Sequence, residues 1–191
     1  TLVPLQGTLR NVQRGLDPIV RQPQQSGEGI KAGLPFLSTE VEPMMGRYGE
    51  PIERSGSALR RMFGIPEVEP QTADWIDTEL NRLDVQIGRP SDQLTIRDPL
   101  TGEKAKLTPE QTTAIRQSRG QALRAELSML MGNPGYTAIP DQFKRQLIAR
   151  ARSKASRTAS DVAAFSVRTG DLSALETMLA PYRDIAKGSY R

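Results

Sequence analysis

A run of basic residues in the last quarter of the chain carries the strongest chemical signal in the sequence. No acidic residue lies between Asp141 and Asp161. The interval contains Lys144, Arg145, Arg150, Arg152, Lys154 and Arg157. On a helix such residues form a surface that can neutralise phosphates without reading the base sequence, so the run is a candidate contact for double-stranded DNA. A solvated helix face, or docking on an acidic protein, explains the same pattern.

The residue types needed for catalysis are scarce or unsupported. The chain has no histidine and no cysteine, which removes the commonest general base and every thiolate ligand. Acidic pairs such as Asp74 with Asp77 are expected to be solvated charges, because none lies in an apolar stretch that would bury a carboxyl group and raise its pKa. Serines have no histidine to activate them. We therefore predict no catalytic, cofactor or metal site, and a protein that is not an enzyme.

Charge and composition change along the chain. Residues 141–191 carry ten basic and five acidic residues, whereas residues 1–70 carry eight of each. The sequence pI near 9.6 permits nucleic acid or an acidic protein as a partner. Residues 1–70 also contain eight prolines and nine glycines, about twice the average usage. The chain starts with Thr1, and we expect either a processed chain or part of a larger one.

Helices are predicted for most of the last two thirds. Apolar spacing predicts one over 72–88 with Thr72 as N-cap, and another that begins at Thr108 and ends at Gly132. Thr108 with Gln111 has the spacing of a capping box. A long alanine-rich helix is predicted over 141–169. The predicted core residues are Trp75, Leu80, Leu83, Leu123 and Leu127.

Two further elements complete this part of the chain. Alternating apolar and polar residues on both sides of the turn sequence DPLTG predict one β-hairpin near 94–107. A final amphipathic helix is predicted over 171–180, limited by Pro181.

The segment 34–54 is too apolar for a solvated linker and too rich in proline and glycine for a regular element. Such a segment can be ordered by lying on another protein, where its backbone groups and apolar side chains find partners. The predicted protein-contact residues are Leu34, Phe36, Val41, Met44, Met45 and Tyr48. The predicted fold is thus mainly α: an extended irregular arm with short helices over 1–70, and a small helical domain with one hairpin over 71–191.

Several short motifs occur in an order that resembles the C-terminal region of large internal virion proteins of tailed bacteriophages, the ejection or large polyvalent type. The motifs include IKAGLPFLSTEVEPMMGRYGEPIER, DWIDTELNRLDVQIGRPS and LTPEQ. The resemblance covers roughly 2–150. Two positions depart from the usual pattern, since Tyr48 stands where tryptophan is usual and Phe36 stands where glycine is common.

This resemblance implies a structural protein packaged inside the capsid near the portal, which leaves with the DNA and reaches the host cell envelope. It implies the portal or other internal core proteins as partners, in several symmetric copies. Enzymatic activity, where such proteins have it, resides in other parts of the parent chain. The alternative function is a DNA-binding module that contacts packaged genome. A weaker third possibility is a membrane-surface role during ejection, through the amphipathic segment 1–20.

Overall fold

The computed structural model is mainly helical and divides into two compact units. The first unit comprises 1–44 and 51–72, and the second comprises 45–50 and 73–191. Among the residues that the structure describes, β structure is limited to isolated bridges. The described residues are 6–23, 28–34, 36–54, 57–62, 74–89 and 107–169, with the single positions 102, 104 and 180.

The first unit contains short helices, and two of them pack closely at a glycine. Helix α1 spans Gln6–Leu16, α2 spans Glu28–Lys31 and α3 spans Ala58–Met62. Helix α1 packs against α3, where Gly15 lies close to Met62. Arg61 of α3 donates to the carbonyls of Arg14 and Gly15, so it satisfies acceptors that the end of α1 would leave open.

The irregular chain of the first unit is held by backbone hydrogen bonds between three segments. The Met44 amide donates to the Val20 carbonyl at 2.7 Å, and the Val20 amide donates to the Ile52 carbonyl at 2.8 Å. The Ile52 amide in turn donates to the Met44 carbonyl at 2.8 Å. The chain thereby pairs with itself where the sequence predicted that its backbone would pair with a partner. Whether 1–70 also acts as an interaction arm stays a prediction.

Asp17 is the buried charge around which these segments meet. Its carboxylate pairs with Arg21 at 2.9 Å and accepts hydrogen bonds from the Ser38 hydroxyl at 2.9 Å and the Ile19 amide at 3.0 Å. Burial of Asp17 favours its neutral form, but these donors together outweigh that effect and hold the pKa below the ordinary 3.8. Arg21 also donates to the Val41 carbonyl. A single carboxylate thus ties the end of α1 to the following segments.

The described part of the second unit contains three α-helices. Helix α4 spans Trp75–Arg82, α5 spans Pro109–Met131 and α6 spans Asp141–Thr169. The capping box is present at the start of α5, and Gly132 is its C-cap, so both predicted ends are confirmed. Ion pairing of Glu126 with Lys154 and packing of Ile115 on Val162 show that α5 and α6 run antiparallel.

Alanines let α5 and α6 approach closely. Ala151, Ala155, Ala159 and Ala163 are buried along one line of α6. Four of the five predicted core residues are buried as well, namely Leu80, Leu83, Leu123 and Leu127. Trp75 is the exception, because 40% of its surface remains exposed on α4. The prediction that it belongs to the core was wrong, since it stands at the first position of its helix, beside an open groove.

A glycine-to-glycine contact fixes the loop 45–50 on α5. Gly49 has a φ of +80°, and a Cβ there would overlap the backbone of Gln117. A Cβ on Gly120 of α5 would overlap the backbone of Tyr48 and Gly49. Two main chains can approach this closely only because neither carries a side chain at the crossing point. A glycine in the middle of a helix is otherwise unfavourable, so this contact accounts for its presence.

Both ends of α4 differ from the prediction, and two other predicted elements lie largely outside the described residues. Helix α4 begins after Asp74, whose side chain accepts from the Ile76 amide, and not after Thr72. It ends at Arg82, earlier than predicted. The hairpin predicted near 94–107 lies largely outside the described residues, and the part of the chain that is described contains no strand to support it. The helix predicted over 171–180 also lies outside the described residues, except for Ala180.

Gly120→Ala should destabilise the second unit, although alanine is the better helix former. The added methyl group must displace the loop backbone, so we expect a loss of about 2 kcal/mol in the free energy of unfolding. Urea titration followed by the fluorescence of Trp75, the single tryptophan, measures it. Gly88→Ala is the matched control, because a Cβ there meets nothing within 4 Å. A Gly120→Ala protein as stable as wild type would contradict the close approach.

Asp17→Asn should weaken the first unit at neutral pH and matter little in acid. Because the folded pKa of Asp17 is lowered, its stabilisation is present above pH 3.8 and is lost as the pH falls through the folded pKa. We expect a loss of roughly 2 kcal/mol at pH 7, the size of hydrogen bonds to a charged group. Hydrogen exchange of the Val20 and Met44 amides, corrected for intrinsic rates, reports it. An effect that stays the same as the pH falls through the folded pKa would exclude the charged carboxylate as the cause.

Candidate functional site

The loop 45–50 carries two polar side chains to one carboxylate on α4. The Tyr48 hydroxyl donates to Asp77 Oδ1 at 2.6 Å, and Arg47 Nη1 donates to the same oxygen at 2.8 Å. Both bonds are charge-assisted, which makes them stronger than bonds between neutral groups. Asp77 is about one-third exposed, so water screens part of the interaction. We call this pair of bonds between the loop and α4 the clamp.

Arg124 of α5 belongs to the same clamp. Its side chain is only 4% exposed, its guanidinium lies 4.9 Å from the centroid of the Tyr48 ring, and it forms an ion pair with Asp74. The planar guanidinium can stack on an aromatic face while its edge pairs with a carboxylate. Since Asp74 also caps α4, Arg124 connects the start of α4, the loop and the middle of α5.

Burial raises the pKa of the Tyr48 phenol above its ordinary value of 10, and the hydrogen bond to Asp77 raises it further. The phenol consequently stays protonated and donates to Asp77 at any physiological pH. A buried, permanently neutral tyrosine in this setting holds structure together and does not accept protons from a substrate. The Tyr48 phenol thus has a structural role in the clamp.

Beside the clamp lies a depression lined by four arginines. Arg47 comes from the loop, Arg89 from the chain after α4, Arg119 from α5 and Arg152 from α6. Its other lining residues are Ile87, Gly88, Gly120, Leu123 and Ala155. No acidic residue is among the described residues that line it. The depression has an apolar, glycine-containing floor and a wholly cationic set of charges, which is a composition suited to an anion.

The six predicted DNA-contact residues have different surroundings. Lys144 is buried, lies 4.9 Å from the centroid of the Tyr136 ring and donates to the Thr137 carbonyl. Arg145 donates to the Leu83 carbonyl at the end of α4, and Lys154 donates to buried Glu126. These three cations are used within the second unit. Arg145 and Lys154 nevertheless remain exposed. The remaining three are exposed as well and bond to no described residue, namely Arg150, Arg152 and Arg157.

The six predicted protein-contact residues are also divided. Val41, Met45 and Tyr48 are buried within the chain and are not accessible to a partner in this structure. Leu34 and Met44 are partly buried. Phe36 is 83% exposed, the highest value among the large apolar side chains of the described residues. The sequence pattern identified an apolar segment correctly, but it could not separate residues that face inward from those that face solvent.

A separate groove of the second unit contains Trp75, and its charged side chains are paired. It is lined by Trp75, Thr78, Glu79, Arg82, Met131, Tyr136, Thr137 and Lys144. Its charged groups pair with one another or with neighbours, because Arg82 binds both Glu79 and Asp141. Arg82 and its hydrogen bond lower the pKa of Glu79, so this carboxylate stays ionised.

Sequence reasoning missed the clamp and the depression because their members are scattered. Asp74 and Asp77 were expected to be solvated, yet both are ion-paired, with Arg124 and Arg47 respectively. The prediction was wrong because the sequence does not reveal that two arginines distant along the chain fold onto this helix. The one available signal was Gly120, a glycine inside an otherwise regular helix, which indicates a close backbone approach.

Neither a metal site nor a membrane-spanning helix is found in the described residues. The described part of the chain contains no group of three or more acidic residues placed to hold a metal ion. Within the same residues, no helix combines the length and the apolar character needed to cross a bilayer.

Tyr48→Phe tests the clamp directly. Removing the hydroxyl leaves the ring on Arg124 but deletes the bond to Asp77, and we expect a loss of about 1 kcal/mol in the free energy of unfolding. Urea titration with Trp75 fluorescence measures it. The same substitution in an Asp77→Ala background should cost clearly less, since the two groups act on each other. Equal costs in both backgrounds would rule out the Tyr48–Asp77 bond as a contributor.

Comparison with known proteins leaves the site to be interpreted from its own geometry. The chain matches no protein-family model, no curated protein and no solved structure. The clamp and the arginine depression therefore rest on the contacts described above.

Proposed function

We propose that this chain is a non-enzymatic structural segment of an internal virion protein of a tailed phage, which docks on the portal or internal core and takes part in DNA ejection. The motif resemblance supplies the virion context. The observation that carries the docking role is the state of Phe36, an aromatic side chain exposed on a left-handed backbone. Both features are unfavourable for the isolated chain, and both are explained if the ring is buried on a partner.

The backbone at Phe36 has a φ of +70°, a conformation that costs a residue with a side chain about 1–2 kcal/mol relative to the right-handed region. The Thr39 hydroxyl donates to the Phe36 carbonyl at 2.9 Å and helps to hold this turn. Glycine, which is common here in the resembled family, would adopt the same backbone without strain. Phenylalanine adds only a solvent-facing ring, and strained, exposed residues of this kind are concentrated at interaction sites.

Other apolar side chains near Phe36 in sequence support a docking surface on the first unit. Leu37 is 39% exposed and Ile30 is 72% exposed. The first unit thus presents several apolar side chains to solvent, while its polar centre at Asp17 is fully paired. An exposed apolar anchor fits a protein partner, because aromatic anchors dominate binding energy at such interfaces. Several copies are expected, since portals and cores are symmetric.

The residues that carry the resemblance have structural roles in the second unit. Tyr48 and Gly49 form the clamp and the glycine contact, Leu80 and Leu83 belong to the core, and Thr108 caps α5. A motif devoted to packing favours a structural protein over an enzyme. Enzymatic parts of the parent protein would lie elsewhere in its chain.

Binding of packaged DNA is the second candidate function. Five members of the basic run on α6 are exposed, and three of them bond to no described residue, namely Arg150, Arg152 and Arg157. Internal bonds to Lys144, Arg145 and Lys154 reduce the number of cations the run can offer to phosphates. Salt distinguishes the two functions: phosphate binding weakens steeply as salt rises, whereas docking by apolar burial does not.

Replacing Phe36 should separate docking from stability. We expect Phe36→Gly to leave the chain as stable as wild type or about 1 kcal/mol more stable, because strain is relieved and little buried area is lost. Docking should weaken by at least about 30-fold, as for an aromatic hot spot. Quantitative mass spectrometry of purified particles that carry each variant of the parent protein measures incorporation.

Phe143→Ala is the matched control for Phe36→Ala, because Phe143 is also exposed, at 53%, but lies in the second unit. Particles should incorporate Phe143→Ala normally and lose Phe36→Ala. Normal incorporation of both Phe36 variants would overturn docking through this residue. Absence of the wild-type chain from purified particles would overturn the virion proposal itself.

A further inference from the structure

We propose that the depression formed by Arg47, Arg89, Arg119 and Arg152 binds one phosphate group of a duplex DNA backbone. The inference deepens the DNA-binding candidate and rests on it, but it names a site that the basic run does not contain. Only Arg152 of the four belongs to that run. The other three come from the loop 45–50, from the chain after α4 and from α5.

Like charges gathered in one place raise the electrostatic energy of the folded chain unless an anion compensates them. Arg47 has a compensating partner in Asp77, through one terminal nitrogen. Arg119 and Arg152 form no hydrogen bond or ion pair with any residue that the structure describes. Since a guanidinium has five N–H donors, Arg47 can contact Asp77 and an added oxygen together. The depression therefore has both the charge and the donors for a phosphate.

The floor of the depression favours a phosphate over a larger group. Ile87, Leu123 and Ala155 are buried beneath it, and Gly88 and Gly120 add no side chain above the backbone. An arginine can donate two parallel N–H bonds to phosphate oxygens. This geometry requires a rigidly held guanidinium and does not require a deep cavity. None of the described residues that line the depression is aromatic and able to stack on a nucleobase. The contact is consequently to the backbone and independent of sequence.

The exposed arginines of the depression favour a phosphate that belongs to a polymer. Arg89 and Arg152 are exposed at the edge of the depression, whereas Arg119 is half-buried within it. A free phosphate ion would be satisfied by the inner groups, while a backbone continues past the site toward cations at the edge. The clamp described above supports the inner side, because it fixes Arg47 through Asp77 and the adjacent Tyr48 through Arg124.

Paired double substitutions with equal charge test the site. Arg119→Gln/Arg152→Gln removes two depression arginines, and Arg150→Gln/Arg157→Gln removes two exposed arginines of α6. Arg150 and Arg157 lie seven residues apart and share one side of the helix, and the 100° step per residue turns Arg152 away from both. Binding of the full chain to a short duplex of random sequence is measured by fluorescence anisotropy between about 50 and about 200 mM salt.

We expect the depression variant to lose at least about tenfold in affinity and to lower the salt slope by about one, because the site holds one phosphate. The control variant should keep most of its affinity. Equal losses in both variants, or a loss confined to the control, would overturn the depression while leaving DNA binding intact. Absence of duplex binding by the wild-type chain at low salt would overturn both.

Two further measurements protect the test. Arg119→Lys/Arg152→Lys keeps the charges but not the paired N–H geometry, so it should retain the salt slope and bind more weakly. It also serves if the glutamine variant fails to fold, which urea titration with Trp75 fluorescence detects. The amide signals of Gly88 and Gly120 should shift with duplex DNA. An equal shift with inorganic phosphate at the same phosphate concentration would assign the site to the free ion and overturn the nucleic-acid source.

Discussion

The second unit depends on the contact between the main chains of Gly49 and Gly120. Side chains normally keep a loop and a helix several ångströms apart, and here two glycines remove that separation. The loop 45–50 is then close enough for Tyr48 to reach Asp77 and to receive Arg124 against its ring. Without the close approach these bonds would be too long to form. A steric constraint thereby determines where the polar groups lie.

Arginine has two physical roles in this chain. Arg21, Arg54, Arg61 and Arg124 are used inside the units, where they bind backbone carbonyls or buried carboxylates. Burial lowers the pKa of Arg54, and neighbouring arginines add to that effect, yet its two carbonyl partners keep it bound. A planar group with several donors can satisfy acceptors that irregular backbone leaves open. Net positive charge in this chain is therefore partly a means of folding and only partly a means of binding.

The surfaces proposed for docking and for phosphate binding occupy different units. The first unit exposes Phe36, Ile30 and Leu37 around a paired polar centre, and the second unit collects four arginines in one depression. Under the proposed functions the two units would engage different partners by different forces. Apolar burial is insensitive to salt and suits a permanent structural contact. Phosphate contact is screened by salt and suits a reversible one.

The sequence by itself determined the features that depend on neighbouring residues. The capping box at Thr108, the end of α5 at Gly132 and the extent of α6 follow from local hydrogen bonding and periodicity, and the structure has them as predicted. The tertiary structure alone decided which residues meet across the chain. It left Trp75 partly exposed and turned Val41 and Tyr48 inward. It also paired Asp74 and Asp77 with distant arginines and assembled the depression. Such contacts depend on how far two backbones can approach, and that distance is set by packing between segments that no local pattern encodes.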